Sequence, residues 1–125
     1  MGALKAKDYP LADKGRAWDG DAAEARIRKW AGGPDKDKID WSKYGSCYLW
    51  YDENDKKNFG SYKLLYVDII DGGPHIVFKA LTAIISAING ARGGTKIPAE
   101  DKKKVYNEAA RLYKKFDEEP PEYKG

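Results

Sequence analysis

The spacing of apolar side chains changes from segment to segment along the chain, and each spacing predicts a type of secondary structure. A first helix is predicted to begin at Asp19 or Asp21, because aspartate is a good N-cap residue, and to end at the glycines 32–33. Its inward positions follow the helical period and are Ala23, Ile27 and Trp30. The next residues, 34–44, form a charged connector in which residues 40–43 can close one helical turn.

Two further helices are predicted in the second half of the chain. Residues 77–88 place apolar side chains and alanines around most of a helix, which predicts the most buried helix of the protein, ended by Asn89 and Gly90. The last helix opens at Pro98, followed by two acidic residues that favour a helix N-terminus, and the prolines 120–121 terminate it. Its inward stripe consists of Val105, Ala109, Leu112 and Phe116.

Two segments rich in aromatic and β-branched residues, 46–51 and 61–70, are predicted as strands. The polar residues 52–60 between them are typical of an exposed loop that joins antiparallel neighbours. Residues 71–74 end the second strand, because glycine permits positive φ and proline cannot extend the ladder. The sequence therefore predicts an α+β fold, with a small antiparallel sheet of two to three strands packed against about three helices.

The 125 residues have the length of one domain. We expect a weakly ordered lead-in over residues 1–18, a single globular α+β domain over residues 19–119 and a C-terminal tail over residues 120–125. The lead-in mixes small, charged and proline residues without an apolar period. We expect it to pack late, on the core or on a partner, through Tyr9, Leu11 and Trp18.

Charge and composition narrow the class of protein. The net charge of +3 is spread over the chain without a long basic block, which is weak support for nucleic-acid binding. The longest apolar stretch, around residues 84–85, is far shorter than the about 20 residues of a membrane span, so we expect a soluble intracellular protein without a membrane partner. Cys47 is the only cysteine, which excludes an internal disulfide and predicts a buried apolar role.

Groups suited to catalysis are sparse. His75 is the only histidine, and no serine lies in a nucleophile-elbow motif. Asp68 is interpreted as an outward or strand-end residue and Asp71 as part of a turn, rather than as paired catalytic carboxylates. The acidic residues 52–55 lack the distal glutamate of a calcium-binding loop. The sequence therefore predicts a noncatalytic protein with no metal or other cofactor.

Two surfaces are candidates for binding. The glycine-rich residues 90–96 precede a helix N-terminus and are suited to an anion, although a helix end and connector explain the same residues. The two strands carry aromatic side chains on both faces, so that some remain on the surface of so small a sheet and can stack bases or bury a protein partner. The predicted binding residues are Tyr51, Tyr62, Asn89, Arg92 and Lys96.

A series of local motifs follows in a recognisable order. The first part of the series is Arg16-Ala17-Trp18-Asp19-Gly20-Asp21-Ala22-Ala23, Arg26-Ile27, Trp30-Ala31, Trp41, Lys43-Tyr44, Tyr48-Leu49-Trp50-Tyr51 and Asn58-Phe59-Gly60-Ser61-Tyr62-Lys63-Leu64. The second part is Asp71-Gly72, the alanine-rich helix, Asn89-Gly90-Ala91-Arg92-Gly93-Gly94 and Ile97-Pro98-Ala99-Glu100-Asp101. Over residues 12–120 the set resembles a small phage-related module found beside prohead protease or capsid-associated sequences in head-morphogenesis polypeptides of tailed phages and prophages. The resemblance implies a virus-associated setting and brings no catalytic residues with it.

These observations predict a noncatalytic binding or assembly module of phage or prophage origin, in the cytoplasm of the host cell or in the virion. We expect it to contact a protein partner, or a second copy of itself, through the aromatic strands and the loop 91–96. The alternative is a small nucleic-acid-binding domain that uses exposed tyrosines for base contacts and basic side chains for phosphate contacts. Those basic residues are Arg92, Lys96, Lys56 and Lys57.

Overall fold

The computed structural model describes residues 2–91 and 95–124, which form four α-helices and four short β-strands, the α+β fold that the sequence predicts. The helices are α1 (Gly20–Trp30), α2 (Trp41–Gly45), α3 (Phe78–Ile88) and α4 (Ala99–Lys115). The strands are β1 (Tyr48–Tyr51), β2 (Tyr62–Leu65), β3 (Val67–Ile70) and β4 (Gly73–Ile76). Helix α1 packs on β3, and α3 packs on α4 and β2.

The predicted helix starts and the predicted end of α3 are confirmed. The prediction that the prolines 120–121 terminate the last helix is wrong, because α4 ends at Lys115 and Asp117 has a positive φ of 59°. The Asp19 side chain accepts a hydrogen bond from the Ala22 N–H at 3.2 Å and caps α1. Helix α3 ends at Asn89, followed by Gly90 with a φ of 98°, and α4 begins directly after Pro98. A cap acts on its own helix within a few residues, which is why the sequence reveals it.

The strands form two antiparallel hairpins, each with its own two-stranded sheet. β1 pairs with β2 in the first hairpin, and β3 pairs with β4 in the second hairpin. The prediction of one strand over residues 61–70 is wrong, because Leu64 has a φ of 68° and Tyr66 leaves the ladder. The Tyr66 N–H donates to the Cys47 carbonyl at 3.1 Å and its carbonyl accepts from the Val77 N–H at 3.1 Å. Tyr66 is therefore the junction between the two hairpins.

The second hairpin closes with a two-residue turn. Asp71 and Gly72 have φ values of 52° and 83°, the two positive angles that a type I′ turn requires. Sequence analysis missed strand β4, because Pro74 was interpreted as the end of a strand. Ile76 directs its backbone N–H and carbonyl to residues 10–12. Backbone groups two positions apart on a strand point the same way, so the Pro74 nitrogen, like the Ile76 N–H, faces away from β3. The missing N–H of Pro74 therefore costs no hydrogen bond to β3.

Residues 2–12, part of the predicted weakly ordered lead-in, run along an edge of each hairpin. Beside β1, the Leu4 N–H donates to the Leu49 carbonyl at 2.9 Å. Beside β4, the N–H and carbonyl of Ile76 both bond to residues 10–12 at 2.8 Å. Each hairpin thereby gains a third backbone segment from the same polypeptide along an edge that would otherwise present unpaired backbone groups.

The core lies between the two hairpins and the longer helices. Helix α3, predicted to be the most buried, contributes Ala80, Leu81, Ile84, Ile85 and Ile88 to it. Neither this helix nor any other in residues 2–91 and 95–124 has the length and hydropathy to cross a membrane. Cys47 is fully buried, as predicted, and burial raises the pKa of its thiol to about 12.

Candidate binding site

A surface groove of about 430 Å³ lies between the N-terminal segment, α2 and the first hairpin, and we call it the lysine–aromatic groove. Its charged and aromatic lining residues are Lys5, Lys7, Lys56, Trp41, Tyr51 and Tyr62. The remaining lining residues are Leu4, Ser42, Gly45 and Ser46. No carboxylate is among these ten side chains, so the groove is positively charged.

The aromatic part of the groove is a stack of three rings with Tyr62 in the middle. The Tyr62 ring lies 5.9 Å from the Trp41 ring at an interplanar angle of 9°, and 5.8 Å from the Tyr51 ring at 21°. Tyr51 and Tyr62 are direct partners in the β1–β2 register, which brings their side chains together. Tyr62 is largely buried, whereas Trp41 and Tyr51 are only partly buried. The outer two rings therefore present surface to a ligand.

Local structure on both sides fixes this stack. Asp40 caps α2 by accepting hydrogen bonds from the N–H groups of the second and third helical residues at 3.1 Å, which positions Trp41 at the helix start. A Cβ atom at Gly45 would lie 2.9 Å from the Tyr62 ring, so glycine permits the ring to pack against α2. The Tyr62 hydroxyl donates to the Lys56 carbonyl at 2.7 Å and holds the loop of residues 52–60 against the ring.

The three lysines come from two distant parts of the chain. Lys5 and Lys7 lie on the N-terminal segment, where the Lys7 N–H donates to the Tyr66 hydroxyl at 2.9 Å. Lys56 lies on the loop that joins β1 and β2. All three side chains are exposed, and among the residues that the structure describes none of the three is in an ion pair within 4.0 Å. Their charge is therefore available to an anionic ligand.

The Tyr62 hydroxyl adds no charge to the groove. Burial raises the pKa of Tyr62, and the neighbouring Tyr51 and Tyr44 raise it further. Its phenol is therefore neutral at neutral pH, and the lysine ammonium groups provide the charge of the groove.

The predicted binding residues divide between different parts of the structure. Tyr51 and Tyr62 lie together in the groove. Asn89 lies at the end of α3, where its side chain donates to the Glu122 carbonyl at 2.9 Å. Lys96 is exposed in the loop before α4 and does not line the groove. Arg92 lies outside the described residues, as do the glycines at 93 and 94.

Sequence analysis missed Trp41, Lys5 and Lys7 as site residues. Lys5 and Lys7 reach the groove because residues 2–4 pair with β1, a contact across more than forty positions of the chain. No local pattern reports such a contact. Trp41 could have been found, since the N-cap Asp40 predicts that it begins a helical turn just before the aromatic strand.

The interpretation of Asp68 as an outward or strand-end residue is wrong. Its side chain is only 4% exposed and accepts hydrogen bonds from Arg26 at 2.8 and 2.7 Å and from Arg16 at 3.3 Å. The Ile69 N–H donates to the same carboxylate at 2.7 Å. The sequence did carry a signal, since Asp68 lies between the apolar residues Val67 and Ile69 of a predicted strand. A charge at such a position is either exposed or paired, so pairing was the alternative interpretation.

The structure places His75 in β4, where its Nδ1 lies 3.0 Å from the Gly73 carbonyl. The described residues contain no cluster of three or more histidine, cysteine, aspartate or glutamate side chains that could hold a metal ion.

Fold and site together define a small α+β protein with a lysine–aromatic groove built from its N-terminal segment, α2 and the first hairpin. The sequence matches no protein-family model and no curated protein, and no solved structure matches the fold.

Proposed function

We propose that this protein is a noncatalytic binding module whose lysine–aromatic groove takes an acidic segment of a protein partner during assembly of a larger complex. The observation that carries the proposal is the combination of three exposed lysines outside any ion pair with a stack of three aromatic rings. Ammonium groups attract carboxylates, and the exposed aromatic surface provides apolar contact area for the same segment.

The arginines of the described residues are not available to a ligand of the groove. Arginine binds carboxylate and phosphate alike through paired hydrogen bonds, whereas lysine acts as a point charge. The four arginines of the described residues are Arg16, Arg26, Arg28 and Arg111, and each is paired with a carboxylate of the chain itself. The groove therefore offers an anionic ligand lysine ammonium groups alone.

The proposed setting is the assembly of a phage or prophage particle, in the host cell or in the virion. This part of the proposal rests on the sequence resemblance alone. A capsid-associated partner with an exposed acidic segment fits it.

The proposal is tested by titrating the ¹⁵N-labelled protein with a synthetic peptide of alternating glutamate and leucine. We expect backbone shifts confined to residues 4–7, α2 and the first hairpin. Lys7→Gln and Trp41→Ala should each weaken binding, since they remove a charge and a ring face. The matched control is Lys104→Gln, an exposed lysine of α4. Shifts spread evenly over the surface, or equal binding by Lys7→Gln and Lys104→Gln, would contradict the proposal.

A single-stranded nucleic acid is the second candidate, because stacked rings flanked by lysines are typical of proteins that bind unpaired bases. A neighbouring hollow on Trp41 is lined by Lys36, Lys57 and Asp37, so two lysines beside one carboxylate continue the surface past the ring. With three phosphate contacts the logarithm of the binding constant would fall with the logarithm of salt concentration with a slope of about −2. Binding of a labelled oligonucleotide at two salt concentrations measures this slope, and no binding at low salt removes the candidate.

A further inference from the structure

The chain itself contains an acidic segment with the chemistry that the groove requires. Residues 117–122, which we call the acidic tail, read Asp-Glu-Glu-Pro-Pro-Glu. Residues 118–124 are neither helix nor strand, and two consecutive prolines favour the extended polyproline II conformation. Because that conformation has three residues per turn and a rise of about 3.1 Å per residue, it places Glu119 and Glu122 on one side, about 9 Å apart.

The acidic tail is attached to the body of the protein by its main chain. The Asn89 side chain donates to the Glu122 carbonyl at 2.9 Å, and the Tyr106 hydroxyl donates to the Pro121 carbonyl at 2.5 Å. Glu119, Pro121 and Glu122 are nevertheless exposed. Within the described residues neither of these two glutamates is in an ion pair. Glu118 pairs with Lys14 at 2.6 Å, so the tail is held in place with the charges of Glu119 and Glu122 directed to solvent, which lowers the entropy cost of binding it.

The two surfaces complement each other in charge and in shape. Glu119 and Glu122 lie outside any described ion pair on a segment anchored through its main chain, and lysines outside any described ion pair line a groove. Proline rings pack on flat aromatic faces when grooves lined by such rings bind polyproline II segments. The Trp41 and Tyr51 rings provide such faces beside the lysines.

In this structure the tail is not docked in the groove of its own copy, because no ion pair among the described residues joins it to the groove lysines. Its hydrogen bonds tie it to Asn89 at the end of α3 and to Tyr106 on α4, whereas residues 4–7, α2 and the first hairpin form the groove. Docking between copies keeps these hydrogen bonds. We infer that the acidic tail of one copy binds the lysine–aromatic groove of a second copy of this chain.

This inference names the partner of the groove and so rests on the proposed function. The contact joins two different surfaces, so it either closes as a reciprocal pair or continues from copy to copy as a chain. Reversible self-association in low salt, weakened by added salt, is expected in both cases.

Analytical ultracentrifugation of charge-reversal variants of the 125-residue chain tests the contact. Lys7→Glu in the groove and Glu122→Lys in the tail should each weaken self-association by about tenfold or more, because each places like charges opposite one another. An equimolar mixture of the two variants should associate again, since each altered surface finds a complementary one. Lys104→Glu changes the net charge as Lys7→Glu does and should leave association unchanged.

Three results would overturn the inference. The wild-type chain could remain monomeric at low salt, the two variants could associate as strongly as the wild type, or their mixture could fail to recover. If the glutamate–leucine peptide still shifts groove residues in a monomeric wild-type chain, only the identity of the partner is wrong. If that peptide also leaves the groove unshifted, the proposed function fails with it.

Discussion

Asp68 is a buried carboxylate that depends on hydrogen bonds from several parts of the chain. Its carboxylate is buried and accepts hydrogen bonds from Arg26, Arg16 and the Ile69 N–H. Burial of a charge is costly unless partners replace the lost water. The three donors belong to the segment before α1, to α1 and to β3, so this one carboxylate connects three parts of the fold.

Asp68→Asn should lower the free energy of unfolding by about 2 to 3 kcal/mol, because an amide loses the charge-assisted hydrogen bonds of two arginines. Urea unfolding followed by tryptophan fluorescence measures the change. Asp8→Asn is the matched control, since Asp8 pairs with Lys115 at 2.7 Å with its side chain 85% exposed, and exposed pairs contribute at most about 1 kcal/mol. Equal losses in the two variants would show that the buried cluster contributes no more than a surface pair.

The same carboxylate should make stability depend on pH. Burial by itself would raise the pKa of Asp68, but the hydrogen bonds from Arg26, Ile69 and Arg16 outweigh burial and lower it. A depressed pKa in the folded state stabilises the protein above the unfolded value of about 3.9, and this contribution disappears as the pH falls through the folded pKa. Unfolding free energies of wild type and Asp68→Asn should therefore differ most at about pH 6 and approach each other as the pH falls below the unfolded pKa of about 3.9. A difference that stays constant over this range would contradict the assignment.

At the scale of elements, the loops of the two hairpins are stabilised in different ways. The second hairpin has a turn that its own residues specify, with positive φ at Asp71 and Gly72. The first hairpin has a longer loop held by side-chain hydrogen bonds, including the bond from the Tyr62 hydroxyl to the Lys56 carbonyl. Substitutions in the turn should therefore act directly through backbone conformation.

Gly72→Ala should destabilise the protein by about 1 kcal/mol, because an L-residue is strained at a φ of 83° while open space surrounds the new Cβ atom. Gly73→Ala is the neighbouring control, since its Cβ also meets nothing within 4 Å and its φ is not positive. Thermal unfolding of both variants separates backbone strain from packing. A larger loss for Gly73→Ala than for Gly72→Ala would contradict the turn assignment.

The helices were predictable because their ends are encoded in adjacent residues, as at Asp19, Asn89 and Pro98. The strand boundaries were not, for two physical reasons. Leu64 adopts a positive φ of 68° that its residue type disfavours, so that tertiary structure determines the break between β2 and β3. Pro74 is compatible with β4 only because its nitrogen faces away from β3, and the sequence does not show which way it faces.

At the scale of the whole molecule, residues 2–12 join both hairpins into one structure. Hydrogen exchange measured by NMR should show the amides of Leu4 and Ala12 protected like those of the strands, because they donate to the Leu49 and Ile76 carbonyls at 2.9 and 2.8 Å. The exposed amide of Lys57 in the loop before β2 is the internal reference. Exchange of Leu4 and Ala12 at the rate of Lys57 would mean that the segment is detached in solution.

The candidate site was predictable only in part, because contacts between distant parts of the chain assemble it. Tyr51 and Tyr62 were identified because aromatic residues on short strands must leave some rings at the surface. Lys5 and Lys7 join them only after the chain has folded back along β1. Asn89 was identified as a binding residue, and the structure shows it bound to the chain's own tail.

The burial of Cys47 gives the protein a built-in probe of its own unfolding. A thiol reacts as the thiolate, and a fully buried group with a pKa of about 12 offers almost none at neutral pH. Because the chain has a single cysteine, the rate at which an alkylating reagent modifies the wild-type protein should report how often the junction between the hairpins opens. No engineered label is needed to follow that opening.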